Sequence, residues 1–201
     1  RRAAPTETTS RGMGGGEGVP YTITRVSQAG NGGWVASNPY SGYPNPYGWT
    51  HLWPTFDPVP VTGPETQTLT FTFDFATYFG VPFSRLFNAL LYVNADDGCK
   101  VWVNGTLKPT DPYYGYTYHA PPYPWESVTT LNVFANMLNG MNTLVAECKN
   151  WDGATFPPPP PAYNYAMFAF AFIIAVTDPP AIMSAALARD PLTAHHALVL
   201  K

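Results

Sequence analysis

The stretch from Leu86 to Leu107, LFNALLYVNADDGCKVWVNGTL, restricts the fold of this chain more than any other segment. An apolar run rich in strand formers, Leu86 to Val93, leads into Ala95-Asp96-Asp97-Gly98, a turn in which Gly98 can take a positive φ. A second alternating run, Cys99 to Val103, ends at Asn104-Gly105, the strongest short hairpin signal. The pattern predicts strands joined by tight turns, with a central hairpin at residues 95–98.

Strand patterns recur along the chain. In Thr68 to Phe75, apolar and polar residues alternate, which predicts a half-buried antiparallel strand, and Ala76 to Ser84 is predicted to be a turn. In the last predicted strand, phenylalanines alternate with alanines, so we expect it to be buried on both faces. The other predicted strands are Tyr21–Ser27, Gly33–Ser37, Val128–Asn136 (strand, or strand entering a helical turn), Asn142–Lys149 and the last one, Tyr165–Thr177. Because no helices alternate with these strands, we predict an all-β fold, an antiparallel jelly-roll β-sandwich.

The sandwich is expected over residues 19–177, between two terminal segments. Residues 1–18 form an extended N-terminal arm without apolar periodicity, and residues 178–201 hold a short helix, Ala181 to Arg189, and a tail. The first residue is arginine rather than methionine, so we expect a processed or partial chain. A glycine-rich arm orders only when something holds it. The arm could be held by a neighbouring molecule or by folding back over its own domain.

Charged residues are scarce, at 11% against about 25% in typical domains, while 15% of residues are aromatic. From Val26 to Ser84 there is no lysine or arginine. Such a surface would be sticky if bare, so we expect neighbouring subunits or glycan to cover it; a polar surface rich in Tyr and Asn is the alternative. The net charge of −3 argues against a nucleic-acid partner. The longest apolar run, Ala166 to Val176, is too short to span a membrane.

The segment NADDGCKVWVNGTL, followed by SVTTLNVFANMLNGMNTLVAECKNWDG, resembles the galactose-binding-domain-like jelly-roll modules. Gly140, Asn142, Leu144 and Asn150 occupy the matching positions, and the resemblance covers about residues 66 to 176. Modules of that group serve as sugar-binding appendages, adhesin domains and structural spacers, so the resemblance implies a fold more than an activity. The chain departs from the group in its long aromatic loops and its proline run.

Asp96 and Asp97 are adjacent carboxylates on a turn. The resemblance to calcium-dependent adhesin modules implies a calcium ion here, although calcium needs about six to eight oxygen ligands. Stabilisation of the turn through the backbone is the alternative. We expect no other cofactor.

Asn104-Gly105-Thr106 is an N-glycosylation sequon on a predicted hairpin tip, although the same residues also suit a plain turn. Thr6, Thr8, Thr9 and Ser10 are candidates for O-glycosylation, on composition alone.

The two cysteines, Cys99 and Cys148, each lie in a predicted strand with the parity of its apolar face. They could therefore meet as a disulfide, or be two buried thiols that act as small hydrophobes.

The aromatic loops could form a sugar-stacking platform or anchor a protein interface, and the low charge favours the interface. The candidate residues are Tyr40, Tyr43, Tyr47, Trp49, Trp53, Tyr113 and Tyr114.

We find no catalytic signature. His195 and His196 are adjacent and diverge on a helix, and His51 and His119 stand alone. We therefore expect a non-enzymatic protein, extracellular or secreted. It would be a structural subunit that joins copies of itself through its N-terminal arm, in a filament, appendage, surface layer or virion surface. A carbohydrate-binding or adhesin module using the aromatic loops is the alternative.

Overall fold

A computed structural model describes residues 20–37, 44–54, 65–96, 98–108, 128–150 and 167–177. These residues form ten β-strands. In chain order they are β1 (Pro20–Val26), β2 (Val35–Ala36), β3 (Leu52–Trp53), β4 (Glu65–Asp74), β5 (Leu86–Ala95), β6 (Cys99–Val103), β7 (Thr106–Lys108), β8 (Thr129–Asn132), β9 (Met141–Asn150) and β10 (Phe168–Thr177). One helix, α1 (Phe75–Phe79), and three 3-10 turns at residues 31–33, 83–85 and 134–136 complete the described elements.

The strands form two antiparallel sheets packed face to face. In the first sheet β10 is central, with β5 and then β8 on one side, and with β1 and the short β3–β2 pair sharing the other side. The second sheet has the order β4-β9-β6-β7. The predicted antiparallel β-sandwich is confirmed, whereas the jelly-roll connection order stays a prediction. The arm at residues 1–18 and the helix at 181–189 lie outside the described residues.

The predicted hairpin between β5 and β6 is wrong. β5 pairs with β10 and β8, and β6 pairs with β9 and β7, so the residues after Ala95 carry the chain from one sheet to the other. Both edges of β5 are already occupied, which leaves no position beside it for β6. Gly98 does take a positive φ, of 133°.

The hairpin at Asn104-Gly105 is confirmed. Val103 pairs with Thr106, and the two turn residues have φ values of 49° and 78°. A two-residue turn with positive φ at both positions is the type I′ turn, whose twist suits the flanking strands.

The last strand is buried on both faces, as its sequence predicts. Phe168, Phe170 and Phe172 lie in the core between the sheets. On the opposite face Trp49 packs against Ala169 and Ala171, whose small side chains leave room for the indole. Tyr47 and Trp49 therefore cover part of the outer face of the first sheet and form a second, smaller apolar cluster there, whereas Leu52 and Trp53 of β3 belong to the main core.

Aromatic rings from both sheets fill the core. The Phe73 ring of the second sheet lies 5.3 Å from Phe172 of the first, and Phe71 lies 5.5 Å from Phe170. Edge-to-face and tilted contacts at such separations stabilise aromatic pairs beyond their buried area. These contacts hold the two sheets in one stacking arrangement.

Residues 76–84, predicted to be a turn, hold most of α1 and the start of the 83–85 turn. Asp74 caps this helix by accepting hydrogen bonds from the Thr77 backbone N–H at 2.9 Å and from its hydroxyl at 2.8 Å, and these bonds lower the pKa of the Asp74 carboxyl. At the other end, Arg25 donates from Nε to the Tyr78 carbonyl at 2.7 Å and from Nη2 to the Phe79 carbonyl at 3.2 Å. Arg25 belongs to β1 of the first sheet, and α1 directly follows β4 of the second sheet. The Arg25 guanidinium therefore links the two sheets through α1.

Short connections define the two ends of the sandwich. At one end, called the first end, α1 and the 83–85 turn join Asp74 to Leu86, and residues 133–140 join β8 to β9. Residues 96–98 join β5 to β6 at the opposite, second end. Segments 55–64, 109–127 and 151–166 all connect strands whose adjoining residues lie at this second end. Pro20 and Thr177, which pair with each other, lie at the first end.

Candidate functional site

The turn residue Asn104 is tied into the protein by its side chain. Its Nδ2 donates to the Asn136 carbonyl at 2.6 Å and to Asn142 Oδ1 at 2.8 Å, while its Oδ1 accepts from the Thr143 N–H at 2.7 Å. The hairpin tip is therefore fixed to the β8–β9 connection.

The partner of Asn104 is Asn142, which is fully buried. Its Oδ1 accepts from the Leu138 N–H and from Asn104, and its Nδ2 donates to the carbonyls of Leu138 and Gly140, both at 2.9 Å. Four bonds satisfy the whole amide group, which is what a buried side-chain amide requires. Asn142 thus shapes the connection from β8 into β9.

This network bears on the predicted glycan at Asn104. An N-linked sugar replaces one hydrogen of Nδ2, and both hydrogens are already donated inside the protein. A glycan here would cost one of the two bonds. Glycosylation at Asn104 stays a prediction, and Thr6, Thr8, Thr9 and Ser10 lie outside the described residues.

Asp96 is 6% exposed, and its backbone N–H donates to the Met167 carbonyl at 3.0 Å. Asp97 is outside the described residues, so the geometry of the predicted calcium pair is not seen. Within the ranges that the structure describes, no three His, Cys, Asp or Glu side chains gather as a metal site. Calcium at Asp96 and Asp97 stays a prediction.

The two cysteines face each other. Cys99 of β6 is the direct register partner of Cys148 of β9, and both are buried as thiols in the core. Burial, the neighbouring Cys99 and Glu147 raise the pKa of the Cys148 thiol. The sequence-based expectation that their side chains point to one apolar face is confirmed, whereas the disulfide itself stays a prediction.

Two of the candidate loop aromatics are buried. Trp49 is 3% exposed and donates from Nε1 to the Pro44 carbonyl, and Trp53 is 4% exposed with its ring 5.4 Å from Trp34. Rings this deep cannot lie against a sugar unless the chain around them moves. Tyr47 is half-buried, 4.8 Å from Tyr92. Tyr40, Tyr43, Tyr113 and Tyr114 lie outside the described residues.

His51 is also buried, and burial lowers its pKa. Its carbonyl accepts from the Ser37 N–H at 2.8 Å, which places it beside β2 and β3. The His51 side chain is therefore part of the buried portion of residues 44–54. His119, His195 and His196 lie outside the described residues.

A surface that sequence analysis missed lies at the first end of the sandwich. Four large apolar side chains are exposed there, and we call them the apolar end: Phe87, Phe134, Leu138 and Met141. Met141 is 61% exposed and Phe87 47%. Of the two other exposed large apolar residues in the described ranges, Val35 on β2 stands away from this group, whereas Leu107 lies on β7, next to the hairpin tip that Asn104 ties to the β8–β9 connection.

Local backbone features place the members of the apolar end. Phe87 lies at a β-bulge, since Ala175 pairs with Asn88 but Val176 with Leu86, which leaves Phe87 without a partner on β10. The Val133 N–H donates to the Ala89 carbonyl, which brings the following residue, Phe134, beside the start of β5. Leu138 and Met141 flank the turn that Asn142 fixes. No sequence pattern announces this surface, because a bulge and a sheet end create it.

In the described ranges no helix has the length and apolar character needed to cross a bilayer. Comparisons of the chain with protein-family models and with curated proteins give no match. The resemblance to galactose-binding-domain-like modules is therefore still a prediction, and the class that the described residues define is an antiparallel β-sandwich.

Proposed function

We propose that this protein is a non-catalytic structural subunit of an extracellular assembly, a jelly-roll module that joins copies of itself. The observation that carries the proposal is the apolar end. Exposed apolar side chains that gather at one end of a domain can mark an interaction site, whereas exposed apolar residues scattered singly are ordinary. Association with a second copy would remove Phe87, Phe134, Leu138 and Met141 from water.

The place where β1 begins supports the same proposal. β1 begins at Pro20, at the first end, so residues 1–18 are attached beside the apolar end. An arm that leaves from an apolar surface can extend over the neighbour that covers this surface. Where the apolar end meets a different face of the next copy, the contact is head-to-tail and builds rings or open filaments, according to the rotation between subunits.

Three charged side chains at the first end are engaged in hydrogen bonds within the protein. Lys108 donates to the Asn136 side chain, Arg25 is bonded to the carbonyls of α1, and Asp74 caps that helix. Charges engaged in this way keep their geometry when a neutral surface approaches. The scarcity of charge in the whole sequence fits a protein whose surface is covered in its working state.

A carbohydrate-binding module or adhesin domain is the second candidate. It is favoured by the topology, since segments 55–64, 109–127 and 151–166 connect strands at the second end, opposite the apolar end. Clustered loops at one end of a sandwich are a common place for binding sites. A glycan array, read with and without a chelator, tests this candidate, and a folded protein that binds nothing in either condition removes it.

The assembly proposal is tested with charge substitutions that leave the core untouched. We expect the double variant Phe87→Lys, Met141→Lys to weaken self-association at least about tenfold, a change of about 1.4 kcal/mol in association free energy. Val35→Lys is the matched control, because Val35 is also exposed and apolar but lies away from the apolar end. Deletion of residues 1–18 tests the arm separately. Particle sizes equal to those of the unmodified protein in both the double variant and the deletion would contradict the proposal, and Val35→Lys should leave the size unchanged.

A further inference from the structure

Two cysteines lie directly opposite each other on neighbouring strands of the second sheet, which is the arrangement that a cross-strand disulfide requires. Cys99 and Cys148 are register partners on β6 and β9, and both side chains lie in the core. The hydrogen bonds on either side show which kind of antiparallel pair they form.

Backbone bonds at two points fix the pattern of this ladder. The Lys149 N–H donates to the Gly98 carbonyl at 3.1 Å, and the Asn104 N–H donates to the Thr143 carbonyl at 2.9 Å. Residue pairs 98/149 and 104/143 are therefore hydrogen-bonded pairs. Because the two kinds of pair alternate, Cys99 and Cys148 form a non-hydrogen-bonded pair.

Non-hydrogen-bonded pairs bring side chains closest. Their Cα atoms lie about 4.5 Å apart, inside the range of about 4.4–6.8 Å that a disulfide spans. In the part of the chain that the structure describes, no group of three His, Cys, Asp or Glu side chains includes these cysteines in a metal site. We propose that Cys99 and Cys148 form an intramolecular cross-strand disulfide that joins β6 to β9.

The oxidation is a thiol–disulfide exchange with a low-molecular-weight disulfide such as oxidised glutathione. One cysteine thiolate attacks that disulfide, forms a mixed disulfide and releases one glutathione thiol. The second cysteine thiolate then attacks the protein sulfur of the mixed disulfide and releases the second glutathione thiol. Two cysteine thiols are oxidised, one glutathione disulfide is reduced, and the two thiol protons pass to the two glutathiones.

The burial of the pair indicates when the bond forms. Thiolate is the attacking species, and burial raises the pKa of the Cys148 thiol, so exchange in the closed sandwich is slow. Oxidation is therefore expected while β6 and β9 are still pairing, in an oxidising compartment. Once the bond is made, it closes the chain between positions 99 and 148, which includes β7, β8 and the segment between them.

The test uses the unmodified protein, produced in an oxidising secretory compartment and denatured in the presence of an alkylating reagent. We expect no alkyl group on either cysteine and a peptide pair linked through Cys99 and Cys148 by mass spectrometry. Two alkylated cysteines per chain, or disulfide-linked dimers on a non-reducing gel, would overturn the proposal.

A stability comparison provides the second readout. Reduction is expected to raise the unfolding equilibrium constant of the wild type roughly 100-fold. The double variant Cys99→Ala, Cys148→Ala should unfold identically with and without reductant, which controls for other effects of the reagent. A wild type that is equally indifferent to reductant would contradict the disulfide. This proposal is independent of the assembly.

Discussion

The side-chain amides of Asn104 and Asn142 meet at 2.8 Å, and this contact joins a hairpin tip to the connection between the two sheets. Asn104 takes a left-handed φ in the type I′ turn, and Asn142 is fully buried. Through the two amides, the β6–β7 hairpin, the 134–136 turn and the start of β9 are held as one unit. The unit lies directly beneath Leu138 and Met141 of the apolar end.

Substitution of Asn142 should therefore be costly. Asn142→Ala leaves the Leu138 N–H and two carbonyls without their partner, and we expect a loss of about 3 kcal/mol in the free energy of unfolding. The matched control is Asn132→Ala, since the exposed Asn132 accepts one bond from the Phe134 N–H. The control should lose about 1 kcal/mol or less. Urea unfolding followed by circular dichroism measures both. Equal losses would show that the buried Asn142 network contributes no more to the free energy of unfolding than one exposed hydrogen bond.

A glycan on Asn104 should destabilise the hairpin tip. We expect the protein from a glycosylating host to be less stable, by about 1 kcal/mol per lost hydrogen bond, than the variant Thr106→Ala from the same host. Thr106 is exposed, so this variant removes the sequon and leaves the Asn104 contacts in place. Production of both proteins in a non-glycosylating host provides the control, where their stabilities should agree. Greater stability of the glycosylated form would refute the structural role of Nδ2.

Gly32 should tolerate no side chain. A Cβ at this position would lie 2.8 Å from the Thr70 carbonyl oxygen of β4, and φ is 58°. Gly33→Ala is the matched control, because Gly33 has φ of 80° with nothing within 4 Å of its Cβ position. Both variants meet a left-handed backbone cost of about 1–2 kcal/mol, and Gly32→Ala should lose at least about 1 kcal/mol more from the steric clash. Thermal unfolding compares them, and equal melting temperatures would contradict the close approach.

Sequence patterns predict most of this fold, because alternation reports directly on burial. The strand predicted at Thr68 to Phe75 is present up to Asp74, and the Phe/Ala alternation of β10 and the Asn104-Gly105 turn appear as predicted. The prediction of a hairpin between β5 and β6 is wrong, because a tight turn has the same sequence pattern whether it joins paired strands or crosses between sheets. β3 and β7 are too short to show a period, and α1 owes its single turn and a half to the Asp74 cap and the Arg25 contacts.

The candidate site is less predictable for a physical reason. Exposure of Phe87 comes from a register slip against β10, and register is a property of two strands together. Trp49 and Trp53 look like surface aromatics in a proline-rich loop, yet residues 44–54 fold back and bury both rings. Composition gives the number of apolar residues in a chain, but which of them remain exposed to solvent depends on how the strands and loops pack.

The stability of the sandwich should fall as the pH drops below about 6.5. Burial lowers the pKa of His51 below its ordinary value of 6.5, so the unfolded chain binds more protons than the folded one between these two pKa values. Stability is therefore present above pH 6.5 and is lost progressively as the pH falls towards the folded-state pKa. The slope is at most about 1.4 kcal/mol per pH unit.

The variant His51→Gln isolates this contribution. It removes the titrating group, so its stability should change less with pH over the same interval, whatever its absolute stability. Urea unfolding at several pH values measures the slope for both proteins. Identical slopes would mean that His51 takes up its proton equally well in the folded state.

Sedimentation of the unmodified 201-residue chain over a range of concentrations is the decisive test of self-association through the apolar end. We expect a weight-average mass that rises well above the 22.0 kDa of one chain as concentration increases, and that falls back when Phe87 and Met141 are both replaced by lysine. A mass that stays at 22.0 kDa at every concentration, with the sandwich folded, would contradict it.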